Sequence, residues 1–505
     1  MPDPRNDAEL ADATARGIRW VSFARMVTEV TLIGSMIALA RLIPPSAFGM
    51  FAIAAIIQDL AINVPAEGIG TALVQRKEIS REHLQTGLLI GILGGLLLAG
   101  ITLILCVLVV EPIFDADTAK LVALTTPGIV IGGIAAIPVT ILRRRLDFRR
   151  MSILDLTQNI TRAGVSIFLA AALGLNGAAL VIGGLASCLS LVILGGAFTG
   201  IPLPRWHRQA AREILPYGGP AALACFAWAG FRNGDYAVIG AKLGTATAGI
   251  YWRGFQLAVE YQRKISTVMT QIAFPVLART VDGDQMFALR RRMVRLLAVV
   301  VFPLLTLLAI LAPSIVPWLF GPDWAPAVQP TQLLIGAGAA TVIIDAVGSV
   351  LMAEGRARAL LGYGVAHFAV YVGVVLIVAS HGIVAVAIAA SCVHIVFLVI
   401  AYQLLVRGRD ESAVRMLWHD VSAAFVSCLV LAAAGIPVQV GLTGAGAPAI
   451  VHLLLVGLAG GLAYLISLRL FFRVAWGDVM ALARRVLPTS RLPRIAQRVL
   501  AAGPA

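Results

Sequence analysis

Charge is what this 505-residue sequence has least of: Asp, Glu, Lys and Arg make up 13% of it, where soluble domains carry about a quarter. With 59% hydrophobic residues and a mean hydropathy of +0.90, that shortage excludes a string of soluble domains and points to a polytopic membrane protein. Cysteine is also scarce. All five, Cys106, Cys188, Cys225, Cys392 and Cys428, lie inside apolar runs, which argues against a disulfide framework and carries no redox inference. The phosphate loop Gly-x-x-x-x-Gly-Lys-Ser/Thr is missing, and no Gly is followed directly by Lys, so a built-in ATPase is excluded. His-Glu-x-x-His and Gly-x-Ser-x-Gly are missing too. The chain is read as no enzyme, with no cofactor and no metal site. The N-terminus is polar and mixed in charge (Asp3, Arg5, Asp7, Glu9, Asp12). It lacks a basic stretch before a short apolar core, so the first span is expected to insert uncut.

What is there is a series of apolar runs of about twenty residues, the length a helix needs to cross the hydrocarbon core. By that criterion the expected fold is all-α with about fourteen transmembrane helices. The first eight are Gly17–Ala40, Phe48–Val64, Thr86–Val110, Leu121–Leu142, Ile153–Leu173, Ala178–Phe198, Pro216–Ile239 and Ala248–Ile272. The other six are Leu296–Phe320, Thr331–Met352, Ala359–Ala379, Ile383–Leu405, Val421–Val438 and Ala449–Phe471. The net charge of +14 could suggest nucleic acid, yet the cations fall in short clusters between these runs. Alternate links hold 21 cations against 3, which marks the richer set as cytoplasmic and leaves both termini inside.

Three echoes, each about two hundred residues apart, suggest that the chain is written twice. Ala40-Arg41-Leu42 with Ala47-Phe48-Gly49 returns as Ala241-Lys242-Leu243 with Ala248-Gly249; Leu73-Val74-Gln75-Arg76 as Val276-Leu277-Ala278-Arg279; Val110-Glu111-Pro112-Ile113-Phe114 as Val316-Pro317-Trp318-Leu319-Phe320. The copies begin six crossings apart and so share one orientation, as parallel repeats do. The expected organisation is a cytoplasmic tail over 1–16, two pseudo-symmetric six-helix lobes over 17–200 and 201–406, two extra helices over 407–472, and a basic cytoplasmic tail over 473–505. In that tail Val479, Met480, Leu482, Val486 and Leu487 share a helix face, which suits either the inner membrane surface or a solvated tail. Small-residue seams are expected at Gly91 to Gly95 and Gly457 to Gly461. Asp115-Ala116-Asp117 is read as a solvated turn.

The apolar runs are interrupted by ionisable residues, each costing about 2.5 to 3.5 kcal/mol at mid-helix. Arg25 and Glu29 are four apart in the first span, and Gln58 and Asp59 lie near mid-depth in the second. In the fifth, Asp155, Gln158, Asn159 and Arg162 form one polar stripe. The stretch from Phe231 to Lys264 holds Arg232, Asn233, Asp235, Tyr251, Arg253, Glu260, Arg263 and Lys264. Arg232 and Arg253 reach comparable depth, and two guanidiniums at one level suggest an anion site. Arg25, Arg162, Arg232, Asn233, Tyr251 and Arg253 are thus candidate substrate contacts, and Glu29, Asp59, Asp155, Asp235 and Glu260 candidate ion-coupling groups. Such charges either line a lumen or pair between helices, as Arg25 with Glu29, Arg232 with Asp235 and Glu260 with Lys264. His367 and His394 lie within predicted spans and are read as interhelical hydrogen-bonding groups rather than a proton relay.

The chain resembles the polysaccharide transport (Wzx-like) flippases of the multidrug/oligosaccharidyl-lipid/polysaccharide (MATE-like) superfamily. The likeness is carried by Leu39-Ala40-Arg41-Leu42-Ile43-Pro44 with Phe48-Gly49, by Ala72-Leu73-Val74-Gln75-Arg76, by Ala248-Gly249-Ile250-Tyr251 and by Phe320-Gly321-Pro322-Asp323-Trp324. It implies a bacterial inner-membrane protein that moves an undecaprenyl-diphosphate-linked oligosaccharide, an O-antigen or exopolysaccharide repeat unit, to the outer leaflet by alternating access driven by an ion gradient. Implied partners are that lipid-linked substrate, membrane lipids, and a polysaccharide polymerase with other export components; nucleic acid is not among them. A MATE-like drug/cation antiporter is the nearest alternative, with a cavity of carboxylates and aromatics expected. A membrane glycosyltransferase or polymerase is the alternative of another class, and the short outer links argue against it.

Overall fold

The protein is described by a computed structural model over residues 24–74, 76, 78–145, 147–264, 266, 283–407 and 411–486. Of Arg232 and Asn233 only the helical backbone is described, so the roles expected of their side chains lie outside the described residues, as do residues 487–505. All regular structure among the described residues is helical. In chain order the helices are α1 (24–42), α2 (Pro45–Val74), α3 (Arg81–Ile113), α4 (Ala116–Arg144), α5 (Phe148–Leu173), α6 (Gly177–Thr199), α7 (Arg208–Leu243) and α8 (245–264). They continue as α9 (Gly283–Phe320), α10 (Pro322–Ala353), α11 (Ala357–Val378), α12 (Ile383–Val406), α13 (Ala413–Gly444), α14 (Ala449–Phe471) and α15 (Arg473–Val486).

Ten of these are long and apolar enough to cross a membrane, namely α2, α3, α4, α6 and α9 to α14. The expected count of about fourteen requires α1, α5, α7 and α8 as well. Those four are the helices loaded with Arg25 and Glu29, with the Asp155 to Arg162 stripe, and with the charges between Arg208 and Lys264. Helix ends differ from the hydropathy limits for a physical reason. Pro65 does not stop α2: the helix continues through a π turn at Ala66–Gly70 and runs on to Val74. α9 and α13 extend well past their apolar windows into the charged links.

Contacts divide the chain into two compact units, 1–249 and 250–505. In the first, helices approach backbone to backbone at glycines. A methyl at Gly91 would lie 2.6 Å from the Gly133 carbonyl oxygen, so α3 and α4 touch along the expected Gly91 to Gly95 seam. A methyl at Gly218 would lie 2.8 Å from the Gly68 oxygen, which brings α7 onto α2. The echoed glycines Gly49 and Gly249 face each other, with Gly249 N 2.9 Å from a methyl at Gly49 and Gly49 N 2.7 Å from one at Gly249. The second expected seam is displaced: Gly457 and Gly461 meet nothing, and the glycine of α14 that packs is Gly460, against Leu431 at 3.2 Å and Leu307 at 3.4 Å. The helix simply presents the neighbouring face to α9 and α13.

The cation-rich end of the first unit is tied by Glu213 at the start of α7. His83 Nε2 donates to it at 2.8 Å, and Arg76 pairs with the same oxygen. The hydrogen bond from His83, with the charge of Arg76 added, holds the Glu213 carboxyl below the usual carboxylate range. In the second unit Asp478 of the amphipathic α15 binds Arg292 at 3.0 Å and Arg295 at 3.3 Å, fastening α15 to the start of α9. Asp115 caps α4 by accepting from Thr118 N, and Asp117 and Lys120 pair in the open, so the Asp-Ala-Asp stretch is a solvated helix start.

Orientation can be checked on exposed link residues. Single cysteines at Asp117 and Asp323 should react with an impermeant maleimide on intact cells, and cysteines at Arg149 and Gln285 only after permeabilisation. All four positions are exposed. Labelling of Arg149→Cys from outside would invert the assignment drawn from the cation split.

Candidate functional site: polar interiors of two helical units

In the first unit the polar stripe of α5 faces α2, α4 and α6. Gln58 is buried where these helices meet; its Nε2 donates to the Val181 carbonyl at 3.1 Å, and its Oε1 accepts from Arg162 Nη2 at 3.1 Å. Gly184 leaves the space Gln58 occupies, and Gly183 lets the Arg162 carbonyl approach α6 to within 2.8 Å of where a methyl would stand. Arg162 is half-buried at a crevice bordered by Gln58, Gly184, Ser187 and Cys188. The crevice has about 10 Å³ of free volume, room for one water at most.

Two turns away on the same helix, Asp155 lies within electrostatic range of Arg143 on α4 and Arg25 on α1. Arg25 and Asp155 are exposed, Glu29 is half-buried, and Asp59 is exposed beside the buried Gln58. The unit therefore presents three guanidiniums, Arg25, Arg143 and Arg162, around one polar stripe. An anion can be met there by planar donors that stay charged at any physiological pH. Asp235, on α7, is buried and accepts from the Tyr236 backbone N–H at 2.9 Å.

In the second unit Tyr251 is fully buried, its hydroxyl 3.3 Å from that of Tyr371 on α11. Arg253 is 1% exposed and donates to Gln256 Oε1 at 3.0 Å. Its guanidinium lies 4.9 Å from the Trp324 ring, 5.1 Å from Phe320 and 5.5 Å from Trp252. Aromatic faces thus surround a cation the sequence analysis placed among substrate contacts. Glu260 accepts from Arg263 Nη1 at 3.0 Å, while Lys264 lies over the Tyr261 ring at 5.2 Å. Glu260 therefore pairs with the residue three positions on, and Arg263 also reaches Asp345 on α10 at 3.9 Å.

Asp345 did not stand out in the sequence. Its signal was a lone carboxylate inside the apolar run of α10, and no spacing pattern drew attention to it. The histidines His367 of α11 and His394 of α12, taken singly in the sequence, have ring centroids 4.8 Å apart. His367 stacks on Phe397 at 4.4 Å, and Tyr371 stands edge-on to His394 at 5.2 Å. Among the described residues no group of three or more His, Cys, Asp or Glu could hold a metal ion.

Two bundles of apolar helices with charged and hydrogen-bonded interiors define a polytopic membrane transporter. The family model described as "Polysaccharide biosynthesis protein" matches residues 38–329, and the chain belongs to that family. It is 23% identical over 438 residues to the lipopolysaccharide biosynthesis protein WzxC of Escherichia coli (strain K12), covering 85% of this chain and 88% of that one. It is 25% identical over 384 residues to the teichuronic acid biosynthesis protein TuaB of Bacillus subtilis (strain 168), covering 70% and 75%. Its fold matches the lipid II flippase MurJ in an inward closed conformation, with a TM-score of 0.69, 15% identity, and coverage of 90% of this chain and 98% of that one.

Proposed function

We propose that the chain moves a polyprenyl-diphosphate-linked oligosaccharide from the inner to the outer leaflet of a bacterial inner membrane by alternating access, driven by an ion gradient. The observation that carries this reading is the set of guanidiniums along α5 in the first unit: Arg25 and Arg143 near Asp155, and Arg162 two turns on, beside Gln58. A diphosphate brings at least two negative charges, and an uncompensated charge in a medium of low dielectric costs tens of kcal/mol by Born solvation. Guanidiniums along its path remove most of that cost. Membership of a polysaccharide biosynthesis family supports the choice of cargo. A drug/cation antiporter would be served by carboxylates, and these arginines disfavour it.

In this reading Arg25 and Arg162 meet the diphosphate in the first unit, and Arg232, Asn233, Tyr251 and Arg253 serve the same cargo. Glu29, Asp59, Asp155, Asp235 and Glu260 are the carboxylates open to ion coupling. The helices α1, α5, α7 and α8 also cross the membrane, giving two repeats over 17–200 and 201–406, accessory helices over 407–472 and both termini in the cytoplasm. A polysaccharide polymerase takes up the product outside. The test is reconstitution in vesicles with a polyprenyl diphosphate bearing a fluorescent disaccharide, read by quenching from one side. Wild-type protein should expose the probe on the second leaflet, and Arg162→Ala should slow this by at least about tenfold, the worth of one lost charge-assisted bidentate contact. No movement by the wild type, or transport of cationic dyes in its place, would reject the reading.

A further inference from the structure

The end of the second unit carries a surface that neither the helix bundle nor the cargo accounts for. The spanning helix α14 ends at Phe471, and a single non-helical residue, Phe472, turns the chain into α15. Leu470, Phe471 and Val474, on the two sides of that joint, are 65%, 72% and 66% exposed. Leu465 and Ile466, one turn back on α14, are exposed as well, so the apolar strip that faces lipid on α14 continues across the joint onto α15. Arg469 and Arg473 stand exposed within the same strip. Large apolar side chains around an arginine suit neither water nor hydrocarbon alone. They suit the boundary between the two, where the apolar groups and the arginine stem stay dry and the guanidinium reaches the headgroups.

The charges of α15 are sorted between its two sides. Asp478 is the only carboxylate in the sequence between 421 and 505, and it is turned inward. It pairs with Arg292 at 3.0 Å and Arg295 at 3.3 Å at the start of α9, on the side of the helix where Ala475 is buried. With Ala475 and Asp478 against the bundle, helical spacing puts the positions of Arg473, Trp476, Met480 and Arg484 on the opposite side. That side therefore has cations, an aromatic ring and a thioether, and no acid. Arginines alone would attract an acidic protein as readily as a lipid; the apolar strip continuous with the lipid-facing wall of α14 singles out the membrane. We propose that α15 seats on anionic phospholipids of the cytoplasmic leaflet, with Arg469, Arg473 and Arg484 as headgroup contacts and Leu470, Phe471 and Val474 at the acyl boundary. An arginine near an anionic bilayer surface favours the seated state by about fivefold. Because Asp478 joins α15 to α9, the seat also fixes the depth at which α9 starts.

The seat concerns membrane lipid and not cargo, so its test contains no cargo and its outcome leaves the flippase reading untouched. Full-length protein carrying Val474→Cys, with the native cysteines replaced by alanine, is spin-labelled and placed in lipid discs of phosphatidylcholine alone or in an equal mixture with phosphatidylglycerol. In the anionic discs, collisions of the label with dissolved oxygen should rise and collisions with a water-soluble nickel chelate should fall, several-fold against the neutral discs. Each of Arg469→Gln, Arg473→Gln and Arg484→Gln should lower the ratio of seated to free label by about fivefold, and the three together should abolish the difference between the discs. Salt at about 1 M, which shortens the Debye length to ~3 Å, should abolish it for the protein with all its arginines in place. Equal accessibility of the label in neutral and anionic discs overturns the proposal. So does a label open to the nickel chelate in both, the pattern of a face kept for a soluble partner.

Discussion

Asp420→Ala should destabilise the second unit by roughly 3–5 kcal/mol, the cost of breaking a fully buried ion pair from one side. Arg290 of α9 is 0% exposed and Asp420 of α13 is 1% exposed. Arg290 Nη1 meets Asp420 Oδ2 at 2.5 Å, Tyr402 of α12 donates to the same oxygen at 2.8 Å, and Arg291 Nε stands 3.7 Å from the other. The guanidinium lies over the rings of Phe287 and Tyr402 at 5.3 and 5.6 Å. Without the carboxylate, that charge would remain enclosed by three helices with only ring faces around it. The thermal midpoint of the solubilised protein should fall by many degrees, and the amount in the membrane with it. Adding Arg290→Met should recover most of the loss, because an apolar pair of similar volume needs no counter-charge. Asp117→Ala, which removes a pair exposed on both sides, should leave the midpoint unchanged. An Asp420→Ala protein as stable as wild type would mean that the three helices are held by apolar packing alone.

That knot was not legible in the sequence. Arg290 stands in a run of arginines that charge counting assigns to a cytoplasmic link, and its partner is 130 residues away. Periodicity and hydropathy speak about one segment at a time, so they place a helix well and say nothing of which helix it meets. The same limit hid the histidine pair: each lies alone in its own span, and only the packing of α11 on α12 brings the rings to 4.8 Å. Asp345 was missed for a different reason, since a single carboxylate in an apolar run forms no pattern, although its insertion cost alone marks it as a residue with a task. Some of what is local could be read. The α5 stripe is polar on one face because Asp155, Asn159 and Arg162 recur at helical spacing, and Arg162 does reach across to Gln58. Glycine seams were legible as motifs but not as rotations, which is why Gly91 packs and Gly457 does not.

Gly249→Ala and Gly49→Ala should each open the crossing of α2 and α8, and they should do so non-additively. Elsewhere in a helix such a change gains about 0.5–1 kcal/mol from the stiffer backbone. Here the gain is outweighed, because the atoms a methyl would strike are backbone. At Gly249 it overlaps the Pro45 carbonyl oxygen and comes 2.7 Å from Gly49 N; at Gly49 it overlaps the Thr245 carbonyl oxygen and comes 2.9 Å from Gly249 N. A side chain could turn away, whereas these carbonyls belong to helix starts and move only if the helices part. Overpacking of this kind costs about 1–3 kcal/mol, and at 1.4 kcal/mol per factor of ten the closed crossing should lose about 5- to 150-fold in population. Spin labels at the exposed Leu42 and Ala246 should then report a longer separation in either variant. The contact is reciprocal, since Pro45 is to Gly249 what Thr245 is to Gly49, so one methyl is enough to part the helices. A second methyl then meets open space, and the double variant should be little worse than either single one, with a coupling energy close to one full penalty. Additive losses would show that the two glycines act at separate contacts. An unchanged distance in both single variants would show that the crossing is looser than the close approach of the two backbones implies.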